Sequence, residues 1–328
     1  MTLPRIGTPT ILGFAIAALI LASVPWLVPA YVSFELTFAG AYAIAILGLI
    51  ILTGYNGQIS LGHGAFMAIG GYTVAIAGQA WGLAPELSIL LSALLCGLFG
   101  ALVGIVALRL AGAYLALATY SLAVAVAPVL KRFKDLTGGA QGLTLTPLHV
   151  PAPFAALGSE RYLYYETWFL AAVLFAASWF ALQGRLGRAL RALRDNEIAA
   201  ISFGINASYY KSLAFAWSAA LAGIAGSLIA LATAYVSPDG YSLVLSLTLL
   251  IGAVLGGLSS LWGALAGGLV VEFLPIWAGT LNPAASSLIY GIALIVVMIV
   301  VPAGIVGAIQ RAVFTITRPR TEGTSRRS

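Results

Sequence analysis

The stretch Gly54–Phe66, GYNGQISLGHGAF, interrupts a run from Leu36 to Pro85 that contains no Asp, Glu, Lys or Arg. Four glycines, Gly54, Gly57, Gly62 and Gly64, stand among Asn56, Gln58, Ser60 and His63. Apolar windows flank it, Leu36–Thr53 before and Ala65–Trp81 after. As one helix, Leu36 to Trp81 would extend about 69 Å at ~1.5 Å per residue, over twice the ~30 Å of a bilayer core. The chain must therefore reverse or break near 54–64. Glycine allows the positive φ and close backbone approach that a break requires. Irregular backbone survives at membrane depth only where protein or a water-filled cavity satisfies its polar groups. Asn56, Gln58, Ser60 and His63 can supply such partners or face a polar solute. A plain surface loop is the blander reading, and it leaves the lack of any basic residue unexplained.

The rest of the chain agrees. Of its 328 residues 61% are hydrophobic and 8% charged, with mean hydropathy +1.02. Soluble domains carry about 25% charged residues. Ten apolar windows near spanning length recur: Thr10–Val28, Leu36–Thr53, Ala65–Trp81, Leu87–Leu108, Gly112–Leu130, Thr167–Leu182, Ser212–Tyr235, Ser242–Leu258, Leu261–Trp277 and Ser286–Val301. The expected fold is all-α: a polytopic membrane protein of about ten transmembrane helices, with a broken or re-entrant polar segment near 54–64. The first window lacks an A-x-A-like cleavage site, so a retained helix is expected rather than a signal peptide.

Charge sets the orientation. With both termini cytoplasmic, Arg5, Arg109, the arginines of 185–194, Lys211 and the five C-terminal arginines fall inside, in keeping with the positive-inside rule. Glu35, Glu86, Asp135, Glu160, Glu166 and Asp239 fall outside. Lys131, Arg132 and Lys134 run against this bias at the start of a long periplasmic loop, 131–166. Residues 1–310 form the expected permease domain, and 311–328 a disordered basic cytoplasmic tail. The net charge of +6 thus serves topology and contact with lipid phosphates, and no nucleic acid is expected as a partner.

Several chemistries find no support. Gly57 and Gly62 have the G-x-x-x-x-G spacing, yet His63-Gly64 stand where a phosphate loop needs Lys-Ser/Thr. His63 and His149 form no metal pair, no metal site is expected, and Cys96 alone is a packing residue. No clustered acids, histidines or activated nucleophile point to an enzyme. Spacings such as Gly100/Gly104, Gly252/Gly256 and Gly263/Gly267 suit close helix packing in lipid. SLGHGA from Ser60 and SLWGA from Ser260 form a short echo, each opening an apolar helix. A self-sufficient secondary transporter or channel is the alternative function. Ion coupling needs buried ionisable groups, and Glu272 is the only clear one, more readily a structural group.

The polar stretch Gly184–Lys211 carries the remaining signal. Arg185, Arg188, Arg191 and Arg194 recur every third residue while Leu186, Leu190 and Leu193 take another face, which describes an interfacial helix with a basic side. Asp195 is the expected cap of a following two-turn helix, with Glu197 in its first turn and Gly204 at its end. A helix that short needs a surface to lie on.

DNEIAAISFG, from Asp195 to Gly204, resembles the cytoplasmic coupling motif of ABC importer permeases. Together with GYNGQISLGHGAF, TGGAQGLT (Thr137–Thr144), GGLSSLWGALAG (Gly256–Gly267) and VPAGIVG (Val301–Gly307), it makes the chain similar to the branched-chain amino-acid importer permeases from about Leu36 to Gly307. Gln58-Ile59-Ser60 stands where sugar-import relatives carry an acidic residue, which favours the amino-acid branch. The resemblance implies a machine of two permease subunits, two cytoplasmic ABC ATPases and a periplasmic solute-binding protein, in the bacterial inner membrane. ATP and Mg would sit on the ATPases, with no cofactor in this chain. Uncharged polarity with glycines at or beside membrane depth points to a substrate pathway drawn from Asn56, Gln58, Ser60, His63, Thr137, Gly138, Gly139 and Gln141. ATPase coupling would fall to Asp195, Glu197, Ala199 and Ala200, with Ile201, and to Gly204. Branched-chain amino acids, other amino acids, urea and short amides all remain open as the solute.

Overall fold

The computed structural model describes residues 21–107, 112–146, 150 and 152–281, with isolated positions between 288 and 311. Most of the windows Thr10–Val28 and Ser286–Val301 lies outside the described residues, as do Arg5, Arg109, His149, Val301–Ala303 and the tail 312–328.

The described chain is mostly helical. Helix α1 spans Ala30–Leu49 and continues as a π-helical turn, Ile50–Tyr55. Helix α2 is His63–Trp81, α3 Pro85–Ala107 and α4 Ala113–Arg132. A short α5, Lys134–Thr137, leads to the strand β1, Leu143–Thr144. Helix α6 covers Gly158–Gln183, α7 Arg185–Asp195, α8 Glu197–Ser202 and α9 Ala207–Thr233. Strand β2, Tyr235–Val236, pairs antiparallel with β1. Helices α10, Leu243–Gly256, and α11, Gly263–Leu281, complete the set.

Six of these helices are long and apolar enough to cross a membrane: α1 with its π turn, α3, α4, α6, α9 and α11. The expectation of about ten is not reached among the described residues. Helix α10 explains part of the shortfall, since 14 residues reach only about 21 Å. Helix α6 opens at Gly158, well ahead of the window at Thr167, because Glu160, Arg161 and Glu166 dilute the hydropathy of its first turns without breaking it. Glu166 therefore sits within an apolar helix, where its Oε2 is buried without a partner, so Glu272 is not the sole acid of that kind. Lys131, at odds with the charge bias, is paired with Asp239 at 2.7 Å.

Helix α9 is the axle. It packs along α3, α2 and α1, while α11 lies on α1 and α10. Glycines make these contacts possible, since lipid supplies no hydrophobic drive between helices and close van der Waals approach must. A Cβ on Gly70 of α2 would enter the Gly223 carbonyl of α9, and one on Gly226 the Met67 carbonyl. On the opposite side, a Cβ on Gly223 would stand 2.5 Å from Cys96 Sγ, so Cys96 is the packing residue its isolation implies. Gly100 and Gly104 meet α9 in the same manner, and Gly256 meets Gly263.

Gly70→Val should therefore lower the thermal midpoint and membrane abundance, at a cost of about 1–3 kcal/mol for overpacking. Gly78→Val, on the same helix at a position where an added Cβ would meet nothing within 4 Å, is the control expected to behave as wild type.

Candidate functional site

The break occupies residues 56–62, between the π turn and α2. Its depth follows from its partners. His63 Nε2 lies 2.8 Å from Ser218 Oγ, and the Ser218 hydroxyl donates to the Gly48 carbonyl at 2.7 Å. Ser218 stands about 16 Å along α9 from Ala207, near the middle of a helix about 40 Å long. The chain thus runs past Ser218 to Tyr55, turns, and returns to the level of Ser218 before α2 begins.

Helix α1 closes with Gly57 at φ +73°, a left-handed conformation that suits glycine. The Gln58 N–H then reaches back to the Leu52 carbonyl at 3.0 Å, and the Thr53 hydroxyl donates to the Gln58 carbonyl at 3.1 Å. Three N–H groups around the start of α2 are held by hydroxyls. Leu61 N–H donates to Thr119 Oγ1 (3.0 Å), Gly62 N–H to Ser60 Oγ (3.3 Å) and Gly64 N–H to Ser246 Oγ (2.9 Å). Each partner comes from a different place: helix α4, the break itself and helix α10. Without them these donors would be orphans of a helix start, at several kcal/mol each in hydrocarbon.

Two acceptors are left over. Asn56 Nδ2 donates to Gln58 Oε1 at 2.6 Å, which leaves buried Asn56 Oδ1 without a partner. Ser218 gives its proton to Gly48, so His63 must donate through Nε2, and the buried Nδ1 is an unpartnered acceptor. Asn56, Gln58, Ser60 and His63 are all buried within a few residues of each other.

The second group from the sequence lies elsewhere. Thr137 donates to the Leu130 and Phe133 carbonyls at 2.6 and 2.8 Å, Gly138 and Gly139 both have positive φ, and the Gln141 carbonyl accepts from Tyr235. These residues adjoin the β1–β2 pair, whose Thr144 carbonyl accepts from Gln79 near the far end of α2. His63 and Gln79 are about 24 Å apart along that helix. Helices α2 and α4 join the two groups, but the structure does not bring them into one site.

At the opposite end of the bundle, α7 buries Gly187, Ala189, Leu190 and Leu193 and leaves Arg185 and Arg188 exposed. The cap of α8 is Asn196, whose Oδ1 accepts from Ala199 N–H at 3.0 Å, and not Asp195, which ends α7. Asp195 instead pairs with Arg194 at 2.9 Å. Glu197 pairs with Lys211 of α9 at 2.6 Å, and Gly204 has φ +83°. Ala200 is buried against the chain's own bundle and is not free to meet another molecule, while Ala199 is half-buried. The outward apolar face is Ile198 (80% exposed), Ile201 (51%) and Phe203 (87%). Of these the sequence reading had only Ile201; it missed Thr119, Ser218 and Ser246 as well.

Six long apolar helices around a buried polar break make this a membrane protein. The chain belongs to the family described as the branched-chain amino acid transport system / permease component, whose model matches residues 31–298. It is 33% identical over 246 residues to the high-affinity branched-chain amino acid transport system permease protein LivM of Salmonella typhimurium, covering 68% of this chain and 58% of that protein. LivM of Escherichia coli is 33% identical over 270 residues, covering 75% and 64%. LivH of Escherichia coli, a permease protein of the same description, is 26% identical over 288 residues, covering 83% and 92%. The chain thus spans less than two thirds of either LivM relative. No solved structure matches it significantly.

The clamp is open to test. Ser218→Ala removes the donor to Gly48 and the acceptor for His63, and should cost about 1–3 kcal/mol as buried groups lose partners, read as a lowered unfolding midpoint of the purified subunit.

Proposed function

We propose that this chain is the transmembrane permease subunit of an ATP-binding-cassette importer that carries branched-chain or related amino acids into the cytoplasm. Its partners are a second, homologous permease subunit, cytoplasmic ATPases that hold ATP and Mg, and a periplasmic solute-binding protein. The chain itself is not an enzyme. It lies in the inner membrane with about ten helices and both termini cytoplasmic, and α7 rests its basic side on lipid phosphates.

The observation that carries the transport reading is the broken segment with two buried acceptors that have no protein partner, Asn56 Oδ1 at the level of α7 and His63 Nδ1 at the depth of Ser218. Donor groups of a polar solute match them, an ammonium among these. The N-terminal ends of α2 and α10 meet nearby, through Gly64 N–H and Ser246. Their dipoles favour a carboxylate, as broken helices do in transporters. An amino acid offers both charges. The names of the LivM and LivH relatives add branched-chain solutes to that chemistry. Thr137, Gly138, Gly139 and Gln141 serve a different stage of the path, at its outer mouth.

The coupling surface for the ATPase is α8, with Asn196 as cap, Glu197 fixing it to α9, and Ile198, Ile201 and Phe203 as the docking face. A six-residue helix is far below the length that persists alone, and three exposed apolar side chains on it have no role within the chain.

Reconstitution with the ATPases and the solute-binding protein should give ATP-dependent uptake of leucine, isoleucine or valine. Uptake of urea or a short amide in their place would redirect the solute assignment. Asn56→Leu and Ser60→Leu should each reduce uptake at normal membrane abundance, and normal uptake by both removes the pathway reading. Phe203→Asp should reduce the ATPase that co-purifies, whereas full retention removes the docking reading. A cysteine placed at exposed Ser159 should react with an impermeant maleimide from the periplasmic side only; reaction from the cytoplasmic side inverts the topology.

A further inference from the structure

We propose that Arg194 is the positioning residue that transmits movement of α8 to the helix break, by gripping the end of α1. The inference rests on the coupling reading of α8. Arg194 is separated from the cap of that helix, Asn196, by one residue, yet its guanidinium reaches across to the membrane bundle. Nη1 donates to the Gly54 carbonyl at 2.7 Å, while Nε and Nη2 hold Asp195 Oδ1 at 3.0 and 2.9 Å.

Gly54 belongs to the π-helical turn from which the break hangs, and its carbonyl is one of those a helix leaves unpaired at its C-terminal end. The grip is steric as well as polar. A Cβ on Gly57 would stand 2.6 Å from Arg194 Cγ, so the glycine that turns the chain also seats the arginine stem. One turn earlier on α7, Arg191 lies over the Tyr55 ring at 5.8 Å from its centroid.

Two links leave the α7–α8 junction, and they end on different helices. Glu197 and Lys211 tie α8 to the start of α9, the central helix that also carries Ser218. Arg194 ties it to the C-terminal end of α1 and the break. A push on α8 that tilts it about the α9 link therefore pulls on Gly54. The π turn is suited to yield, because its i→i−5 bond, Asn56 N–H to Ile51 O at 3.2 Å, differs from an α-helical turn by one residue of register. Only a planar fork can hold a carboxylate and a carbonyl together in fixed geometry. A lysine ammonium at 194 keeps the charge and loses that geometry.

The test uses the assembled transporter in proteoliposomes, with ATP hydrolysis and solute uptake measured side by side. Arg194→Lys should retain its ATPase in full and continue to hydrolyse ATP, while uptake per ATP falls about tenfold, the scale of one lost charge-assisted hydrogen bond. Gly57→Ala, which disturbs the same contact from the other side, should uncouple in the same way. Arg188→Lys on the exposed face of α7 should behave as wild type. A merely structural role predicts that uptake and hydrolysis fall in proportion, or that abundance drops. Either result in Arg194→Lys, or an unchanged ratio in both Arg194→Lys and Gly57→Ala, overturns the proposal. Failure of the docking reading would look different, because Phe203→Asp would then keep its ATPase. A failure confined to Arg194 leaves Phe203→Asp impaired and Arg194→Lys coupled.

Discussion

The hydroxyl of Ser218, buried half-way along α9, is the contact on which the arrangement around the break depends. It donates to the Gly48 carbonyl of the descending helix and accepts from His63 at the head of the next. Two segments that the sequence separates by a sharp interruption are thereby pinned to one point on a third. Breaking a helix in hydrocarbon exposes backbone groups that water would otherwise satisfy, at several kcal/mol each. Single hydroxyls drawn from α4, α9, α10 and the break itself offset that cost. Glycines bring those hydroxyls within reach: Gly48 lies against Ser218, Gly62 against Thr119 and Gly64 against Ser246.

The same balance of donors and acceptors separates structure from function at the break. The backbone N–H groups of Leu61, Gly62 and Gly64 are matched by hydroxyls, whereas two buried acceptors, Asn56 Oδ1 and His63 Nδ1, are left over. In the proposed transport reading these two acceptors receive a solute that brings hydrogen, and the adjoining helix N-termini favour its negative charge. At the other end, the exposed apolar face of α8 and the salt bridge from Glu197 to Lys211 belong to one short element.

Much of this was legible in the sequence. A charge-free run too long for one helix forced a break at 54–64, and the glycines located it. The spacing of arginines and leucines in 185–194 marked α7 as a helix, although Arg191 and Arg194 turn to Tyr55 and Gly54 of the bundle. The family motifs pointed to the permease family that the comparisons establish. What stayed hidden was long-range. Thr119, Ser218 and Ser246 are isolated hydroxyls in apolar helices, and nothing in their neighbourhoods distinguishes them from the many serines and threonines that bond only to their own preceding turn. Asp195 and Asn196 are both good caps, so the register of α8 was undetermined by one residue. That helix has too few residues for periodicity to show that Ala200 faces inward and Ile198 and Phe203 outward. Likewise, TGGAQGLT shares the polar, glycine-rich character of the break, and its distance from it is a matter of helix α2's length and direction.

The depth of the break can be measured directly. A nitroxide attached to a cysteine at Ile59, which is 49% exposed and free to carry it, can be ranked in a Cys96→Ala background by its relative accessibility to oxygen and to a water-soluble nickel chelate in lipid nanodiscs. Labels at Trp217, beside Ser218 on α9, and at Phe203, which caps the C-terminal end of α8, give the reference depths. A break returning to mid-membrane predicts that the label at 59 ranks with Trp217 and well apart from Phe203. A label at 59 that ranks with Phe203 would place the segment at the membrane surface and contradict the clamp at Ser218.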